Sequence, residues 1–512
     1  MTTSRFERLF SRLREEPGKP AIVFEGRTWT FADLDRLSGI YARGLASAGV
    51  ARGDRVAVFA PTCPEVVIAL LGHYRLGAVH VPVNTRYRGE EIAHILSDSG
   101  ASAVLLGPGE AETDSFQELT LRVRLGGEAP GAGDVRFDDL VSEGSAGSSD
   151  PPSLSDEDTA ILLYTSGTTG KSKGVELSFR AIVENMEAVT GLWRFSPADR
   201  MALALPLFHV HGLGLGIHGA LLNRMTVLLF ERFDAARIAE AFATGGATLF
   251  QGVPTMYVKL LELAGSDPRA AEALSRARLF TSGSAPLPGD DFRRFEELTG
   301  HRILERYGMS ETLFTLSNLY DDRRPGTVGR PVPGCEVRIV DESGADSPGD
   351  EPGELLVRSN GMMTRYRGRP EETAASFRGD WFATGDMGRR GADGFVTIAG
   401  RKSVDFIKSG GFKISAREIE DVLRRHPRIR EVAVLGAPDR VWGERIVAAV
   451  VLRPDPGPGI SSEALLEELS AFCARSLADY KRPREVRVVE ELPRNALGKV
   501  QKHRLREETG TR

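Results

Sequence analysis

A short apolar strand that runs straight into a loop of small polar residues constrains this chain more than any other stretch. Residues 159–163 are apolar and β-prone, and residues 164–174 then read Tyr-Thr-Ser-Gly-Thr-Thr-Gly-Lys-Ser-Lys-Gly. Glycines let successive backbone N–H groups turn toward one anion, hydroxyls add donors without bulk, and lysines bring point charge, so the loop is suited to polyphosphate. A strand that delivers such a loop belongs to an α/β sheet, where ligands collect at the carboxyl ends of strands. Further strand candidates end at Ala204, Gln251 and Thr281, each followed by polar or glycine-rich residues, so these turns are expected to converge on one crevice. Upstream, residues 55–60 read as a strand and 65–77 as the helix after it.

At 512 residues the chain exceeds the usual single-domain range, so at least two units are expected. The glycine- and acid-rich segment 107–152 reads as a poorly packed insertion or a surface connection before the next strand. After about Asp321 the pattern turns to Gly/Pro-punctuated strands (334–341, 353–358, 394–399), and beyond Gly400 to regular helix and strand candidates (416–425, 431–435, 446–452, 462–476). The expected class is α/β, with a large N-terminal domain of doubly wound sheets over 1–400, a small β-rich subdomain at about 321–400, a hinge at 401–405, and a small mobile α+β C-terminal domain over 406–512.

The balance of 66 basic against 71 acidic residues gives no footprint for nucleic acid or an anionic membrane. Cys63, Cys335 and Cys473 lie far apart without metal-ligand spacing, so neither a disulfide framework nor a zinc site is supported and a reducing cytoplasm is expected. Residues 1–14 carry four arginines but no apolar run of signal-peptide length, and read as a surface amphipathic helix. Residues 201–223 lack Asp, Glu, Lys and Arg, yet Pro206, several glycines and three histidines suit a buried strand, turn and core helix better than a membrane span. Gly170-Lys171-Ser172 matches the end of a Walker loop, but the first glycine of that pattern would fall at Thr165 and no helix-forming segment follows Gly174.

Other stretches carry chemistry. Leu205-Pro206-Leu207-Phe208-His209-Val210-His211-Gly212 holds a His-x-His that could ligate a metal or sit satisfied in the core. Ser282-Gly283-Ser284-Ala285-Pro286 is a small-residue loop where a glycine leaves room for a flat group. Glu305-Arg306-Tyr307-Gly308-Met309-Ser310-Glu311-Thr312 offers a hard oxygen ligand at Glu311 for a metal that bridges phosphates. Thr384-Gly385-Asp386, Arg401, Ser409-Gly410-Gly411 and Pro493-Arg494-Asn495-Ala496-Leu497-Gly498-Lys499 complete the set.

Together these segments resemble the adenylate-forming enzymes: acyl-CoA synthetases, luciferases and the adenylation domains of peptide synthetases. The resemblance covers nearly the whole chain and implies ATP, Mg2+ and coenzyme A as participants. It places Thr165, Ser166, Gly167, Thr168, Thr169 and Lys173 on the ATP phosphates, with Ser172 where proline is common. Ser282, Gly283, Ser284 and Ala285 fall against adenine, Tyr307 and Gly308 stack on it, Ser310 meets phosphate and Glu311 holds magnesium. Asp386 and Arg401 match ribose contacts. Lys499 matches the lysine that bridges substrate carboxylate and phosphate, and Ser409, Gly410 and Gly411 the border of a thiol tunnel reached by domain rotation. His209, Ser282, Arg306 and Met309 line the acyl pocket. One extra residue before Gly410-Gly411 leaves the pivot among Ser403, Val404 and Asp405, and this longer form resembles one branch of malonyl-CoA synthetases.

Arg306 is the residue that bears on the acid. A guanidinium facing the acyl pocket needs an anion, which a second substrate carboxylate supplies; the alternative is a protein acid such as Glu305 or Asp234. The expectation is a monomeric ligase for malonate or methylmalonate, working on small molecules with neither nucleic acid nor membrane as partner. A Walker-type phosphotransferase, a carrier-protein-loading enzyme and a non-catalytic nucleotide sensor are the rival classes.

Overall fold

A computed structural model describes residues 4–108, 114–126, 134–142, 154–165, 172–348, 351–401, 406–409, 412–439, 441–454, 461–494 and 498–508. The chain divides into two compact units. The larger holds residues 1–325, 329–336 and 358–380; the smaller holds 326–328, 337–357 and 381–512.

The larger unit is built on two mixed sheets, of nine and eight strands among the described residues. In the first, Leu304–Met309, Leu279–Ser282, Leu249–Gly252, Arg200–Leu203, Thr226–Leu229 and Pro20–Phe24 lie parallel in that order. Antiparallel strands close both edges. One face takes Phe250, Phe280 and Ile303 into an apolar cluster with Phe242, Tyr257 and Phe295 from the covering helices. Side chains alternate along a strand, so Gln251, Thr281, Leu304 and Arg306 point to the opposite face.

The second sheet runs in the order Arg365–Tyr366, Lys173–Ser178, Thr159–Thr165, Val79–Pro82, Arg55–Phe59, Ala103–Leu106, Leu121–Arg124 and Asp134–Arg136. Thr159–Thr165 and Lys173–Ser178 form an antiparallel hairpin, with Tyr164 opposite Gly174 and Thr165 opposite Lys173. A strand therefore follows the loop, where a Walker loop requires a helix, and that rival class fails on topology. The insertion expected over 107–152 is corrected in part: residues 121–124 and 134–136 extend this sheet by two short parallel strands. Three- and four-residue edge strands leave little trace in so glycine-rich a stretch.

The N-terminal helix Arg5–Glu15 buries Phe6, Leu9, Phe10 and Leu13 along one stripe, as an amphipathic helix should. Residues 201–223 take in most of the strand Arg200–Leu203, then a buried π-helix His211–His218 and a buried last turn Gly219–Leu222. Among the described residues no helix is long and apolar enough to cross a membrane.

In the smaller unit Gly353–Ser359 pairs with Trp381–Arg390, which pairs with Val396–Arg401. A further sheet there centres on the long hairpin Ile429–Asp439 and Gly443–Leu452, packed on one side by Ala416–Leu423 and Ser462–Cys473.

Candidate active site

The chemistry-bearing residues of the larger unit gather at the carboxyl ends of its parallel strands. Leu304–Met309 turns back as Leu313–Ser317 through Ser310-Glu311-Thr312. A β-bulge falls between Tyr307 and Gly308, and a Cβ at Gly308 would stand 2.0 Å from the Leu313 carbonyl oxygen, so only glycine lets the hairpin close here. Asn185 anchors this hairpin from the side: its amide donates to the Phe314 carbonyl (2.9 Å) and accepts from the Phe314 N–H (3.1 Å). Trp193 Nε1 donates to Ser317 Oγ at 2.8 Å. Tyr307, Met309 and Ser310 are half-buried at the mouth.

Arg306 lies inside the hairpin, only 5% exposed, its guanidinium carbon 4.5 Å from the centre of the Phe314 ring. Its Nε and Nη2 have no hydrogen-bond partner among the described residues. Burial alone pulls its pKa down to about 9, so it remains a cation near neutrality. The two acids expected as alternative partners are engaged elsewhere: Glu305 accepts from the Leu287 N–H at 3.4 Å, and Asp234 caps the helix Ala235–Ala243. The neighbouring loop is shaped around this cation. A Cβ at Gly283 would meet the Arg306 guanidinium at 2.5 Å, and Ser284 adopts a left-handed backbone with φ of 69°.

On the Arg306 face of the sheet both amide atoms of Gln251 and Thr281 Oγ1 are buried with no partner among the described residues, and so are Ser282 Oγ at the strand end and the Nε2 atoms of His209 and His211. Each such atom costs roughly 1–3 kcal/mol when left unsatisfied, so Gln251, Thr281 and Arg306 on one sheet face mark a ligand surface better than a core. The π-helix covers this face; a Cβ at Gly216 would press into Leu203 at 2.7 Å, and one at Gly212 into the Pro206 carbonyl at 2.4 Å. His209 is partly exposed although its Nε2 is buried, and burial lowers its pKa to about 4. Burial, and then the Arg306 charge, hold His211 well below the ordinary imidazole range. Both are neutral imidazoles at physiological pH, and His211 Nδ1 meets Ser284 Oγ at 3.4 Å. The metal reading of His-x-His finds no support, since no cluster of three His, Cys, Asp or Glu suited to a metal occurs among the described residues.

A second group lies where the loop strand meets the strand Arg365–Tyr366. Glu311 is buried and accepts from the Tyr366 hydroxyl at 2.9 Å. Lys173 Nζ sits 5.0 Å from the centre of the Tyr366 ring and 2.5 Å from Glu372. Ser166, Gly167, Thr168 and Thr169 lie outside the described residues, as do Gly410, Gly411 and the pivot candidates Ser403, Val404 and Asp405.

The smaller unit carries the remaining expected residues. Asp386 and Arg401 are direct cross-strand neighbours joined by an ion pair of 2.9 Å, with Asp386 nearly buried. Ser409 is buried at the end of Phe406–Ser409. Lys499 is exposed, and the carbonyl of the preceding Gly498 accepts from Arg494 at 2.6 Å. Residues that sequence reasoning passed over are Thr281 and Gln251 as side chains of the pocket, and Tyr366, Glu176 and Glu372. The polar ends of two apolar strands were a usable signal for the first two; nothing local in the sequence points to the others.

Comparison with known proteins fits this layout. The family model described as AMP-binding enzyme matches residues 9–367, and that of the AMP-binding enzyme C-terminal domain matches 418–499. ATP-bound MatB from Rhodopseudomonas palustris superposes with a TM-score of 0.90 at 34% identity, covering 99% of both chains. A malonate–CoA ligase of Arabidopsis thaliana is 33% identical over 98% of this chain and 88% of its own. An indoleacetate–CoA ligase of Aromatoleum aromaticum is 36% identical over 96% of this chain and 95% of its own, so overall likeness does not choose the acid. The chain belongs to the AMP-binding enzyme family, as one of its acyl-CoA ligases that activate a carboxylic acid through an adenylate.

Proposed function

We propose that the protein joins a small dicarboxylic acid, malonate or methylmalonate, to coenzyme A at the expense of ATP, releasing AMP and pyrophosphate. The observation that carries this reading is Arg306, a buried cation whose Nε and Nη2 lack any protein partner. A planar fork with two parallel N–H donors suits a carboxylate, and a buried guanidinium is costly without an anion. A hydrocarbon or aryl tail would leave that cost uncompensated. The neutral imidazoles of His209 and His211 and the hydroxyls of Ser282 and Thr281 supply further hydrogen bonds without adding charge.

A carboxylate resists a thiol because its carbonyl is electron-rich and oxide is a poor leaving group. Attack of a carboxylate oxygen on the α-phosphorus of ATP turns that oxide into AMP, and the thiol of coenzyme A then displaces AMP. Magnesium enters with the nucleotide as substrate; Glu311, a buried carboxylate held by the Tyr366 phenol, fits it as a hard oxygen ligand. The metal supplies charge neutralisation on the departing pyrophosphate. Lys173 and the loop at 165–169 would hold the β and γ phosphates, Tyr307 and Gly308 the base, and Ser310 a phosphate oxygen. Asp386 accepts the ribose hydroxyls in this reading, with Arg401 orienting it, and Lys499 meets the charge that grows between carboxylate and phosphate. Rotation of the C-terminal domain then exchanges Lys499 for Ser409, Gly410 and Gly411 at the thiol.

The test is AMP release over a panel of mono- and dicarboxylic acids, a sulfonated acid and indoleacetate, with coenzyme A and with a carrier protein as thiol. The expected result is malonate or methylmalonate first, with coenzyme A. Equal turnover of an uncharged acid would remove the role given to Arg306.

A further inference from the structure

The strand Arg365–Tyr366 has no counterpart among the residues assigned to substrates, yet it is tied to the loop strand and to Glu311 at once. Its flanks are fixed by one buried acid. Glu176, on the loop strand and 2% exposed, takes Arg365 Nε at 2.9 Å and Arg367 Nη1 at 3.3 Å. The Thr364 N–H donates to the Glu176 carbonyl at 2.9 Å, and the Arg367 N–H to the Gly174 carbonyl at 2.8 Å. These contacts set Tyr366 opposite Val175 with its ring, 6% exposed, between the loop strand and the Ser310-Glu311 turn. The backbone agrees: the Met363 N–H donates to the Glu311 carbonyl at 2.7 Å.

We propose that Tyr366 is a positioning residue for the phosphate end of the site, its hydroxyl orienting the Glu311 carboxylate and its ring seating Lys173 on the same platform. A carboxylate has two oxygens. The phenol donates to Oε1, and this bond fixes the plane of the group. The ring face, attractive to a cation, holds Lys173 Nζ at 5.0 Å. One side chain thus sets the spacing between the acid that takes the metal and the lysine that takes phosphate, across 138 residues of sequence (311 minus 173).

The inference rests on the reading of Glu311 as the metal-holding acid, and the experiment separates the two. ATP binding to the full chain is measured by calorimetry without acid or thiol, in magnesium and in EDTA, so no turnover enters. Tyr366→Phe keeps the ring and removes the hydroxyl. A hydrogen bond to a charged group predicts roughly 10- to 100-fold weaker binding of ATP with magnesium. Binding in EDTA should stay within about twofold, since the metal-holding contact is then absent. Glu311→Gln should abolish the magnesium preference, and Tyr366→Phe added to it should cause no further loss. Glu176→Gln, which loosens the strand but keeps the phenol, should give a smaller loss of the same magnesium-selective kind; it also serves if Tyr366→Phe does not fold. Equal losses with and without magnesium, or additive losses in the double variant, would reduce Tyr366 to packing and overturn the proposal. A Glu311→Gln variant that keeps its magnesium preference would instead sink the role of Glu311.

Discussion

The two ends of the proposed site in the larger unit, acyl and phosphate, treat buried polarity in opposite ways. At the acyl end Arg306, Gln251, Thr281, Ser282, His209 and His211 bury polar atoms that the protein does not satisfy. At the phosphate end Glu176 holds Arg365 and Arg367, Tyr366 holds Glu311, and Glu372 holds Lys173 and Arg369. The first end gains when its ligand arrives, because a desolvation cost already borne is then offset. The second has its cations paired with protein acids in advance, so under the proposed function a polyphosphate displaces a protein acid to reach Lys173. Selectivity for the acid is therefore expected to be steep, and the response to phosphate-end substitutions shallow where the residue is exposed.

The sharpest way to break that contrast is Arg306→Gly. Removing a buried partner of a substrate anion should cost about 2–5 kcal/mol in kcat/KM for a dicarboxylic acid. Uncharged acids should lose far less, and undiminished malonate turnover would end the assignment. Next in size is the acid sensitivity of the buried imidazoles. With its pKa lowered from the ordinary 6.5 to about 4, folded His209 stays neutral while the unfolded chain takes up a proton below 6.5. Its contribution is thus intact above that pH and lost as pH falls toward 4, at about 2 kcal/mol by pH 5. His209→Asn should flatten the decline in unfolding free energy by that amount between pH 6.5 and 5. An unchanged slope would mean that His209 is not neutral in the fold.

How much of this was legible in sequence follows from separation along the chain. The apolar strand that leads into the loop and the cation at 306 are local facts, and they survive in the fold. That Arg306 lacks an acid partner is not local: it depends on Glu305 turning to the Leu287 N–H and Asp234 to a helix cap. The Asp386–Arg401 pair joins residues on neighbouring strands, and only the resemblance pointed to both. Tyr366 lies 55 residues from Glu311 in a two-residue strand that no periodicity could reveal. A core helix is expected within 201–223, but not its π geometry, in which the glycines allow close approach to Leu203 and Pro206.

A smaller effect, of opposite sign for fold and function, is expected at Gln251. Both its amide atoms are buried without partners on the same sheet face as Arg306. Gln251→Leu removes that cost at similar volume and should stabilise the larger unit by about 1 kcal/mol in denaturant unfolding. Acid activation should weaken at the same time if the amide faces the ligand. Loss of stability would show that Gln251 is satisfied in solution and belongs to the core.

The smallest expected change lies at the other end, with Glu372. Lys173 at 31% and Glu372 at 40% side-chain exposure form a pair that solvent screens, worth about 0.2–1 kcal/mol. Lys173 and then Arg369 hold the Glu372 carboxyl below its ordinary range, so the acid is ionised wherever the enzyme is assayed and competes with phosphate for the lysine. Glu372→Gln should therefore tighten ATP binding in EDTA by roughly 1.5- to 5-fold, the fold-change equivalent of that pair. The gain should shrink as salt rises, because an exposed pair loses strength with screening. Weaker binding would mean that Glu372 aims Lys173 at the nucleotide, and the contrast between a prepaid phosphate end and an uncompensated acyl end would then hold only for Arg306.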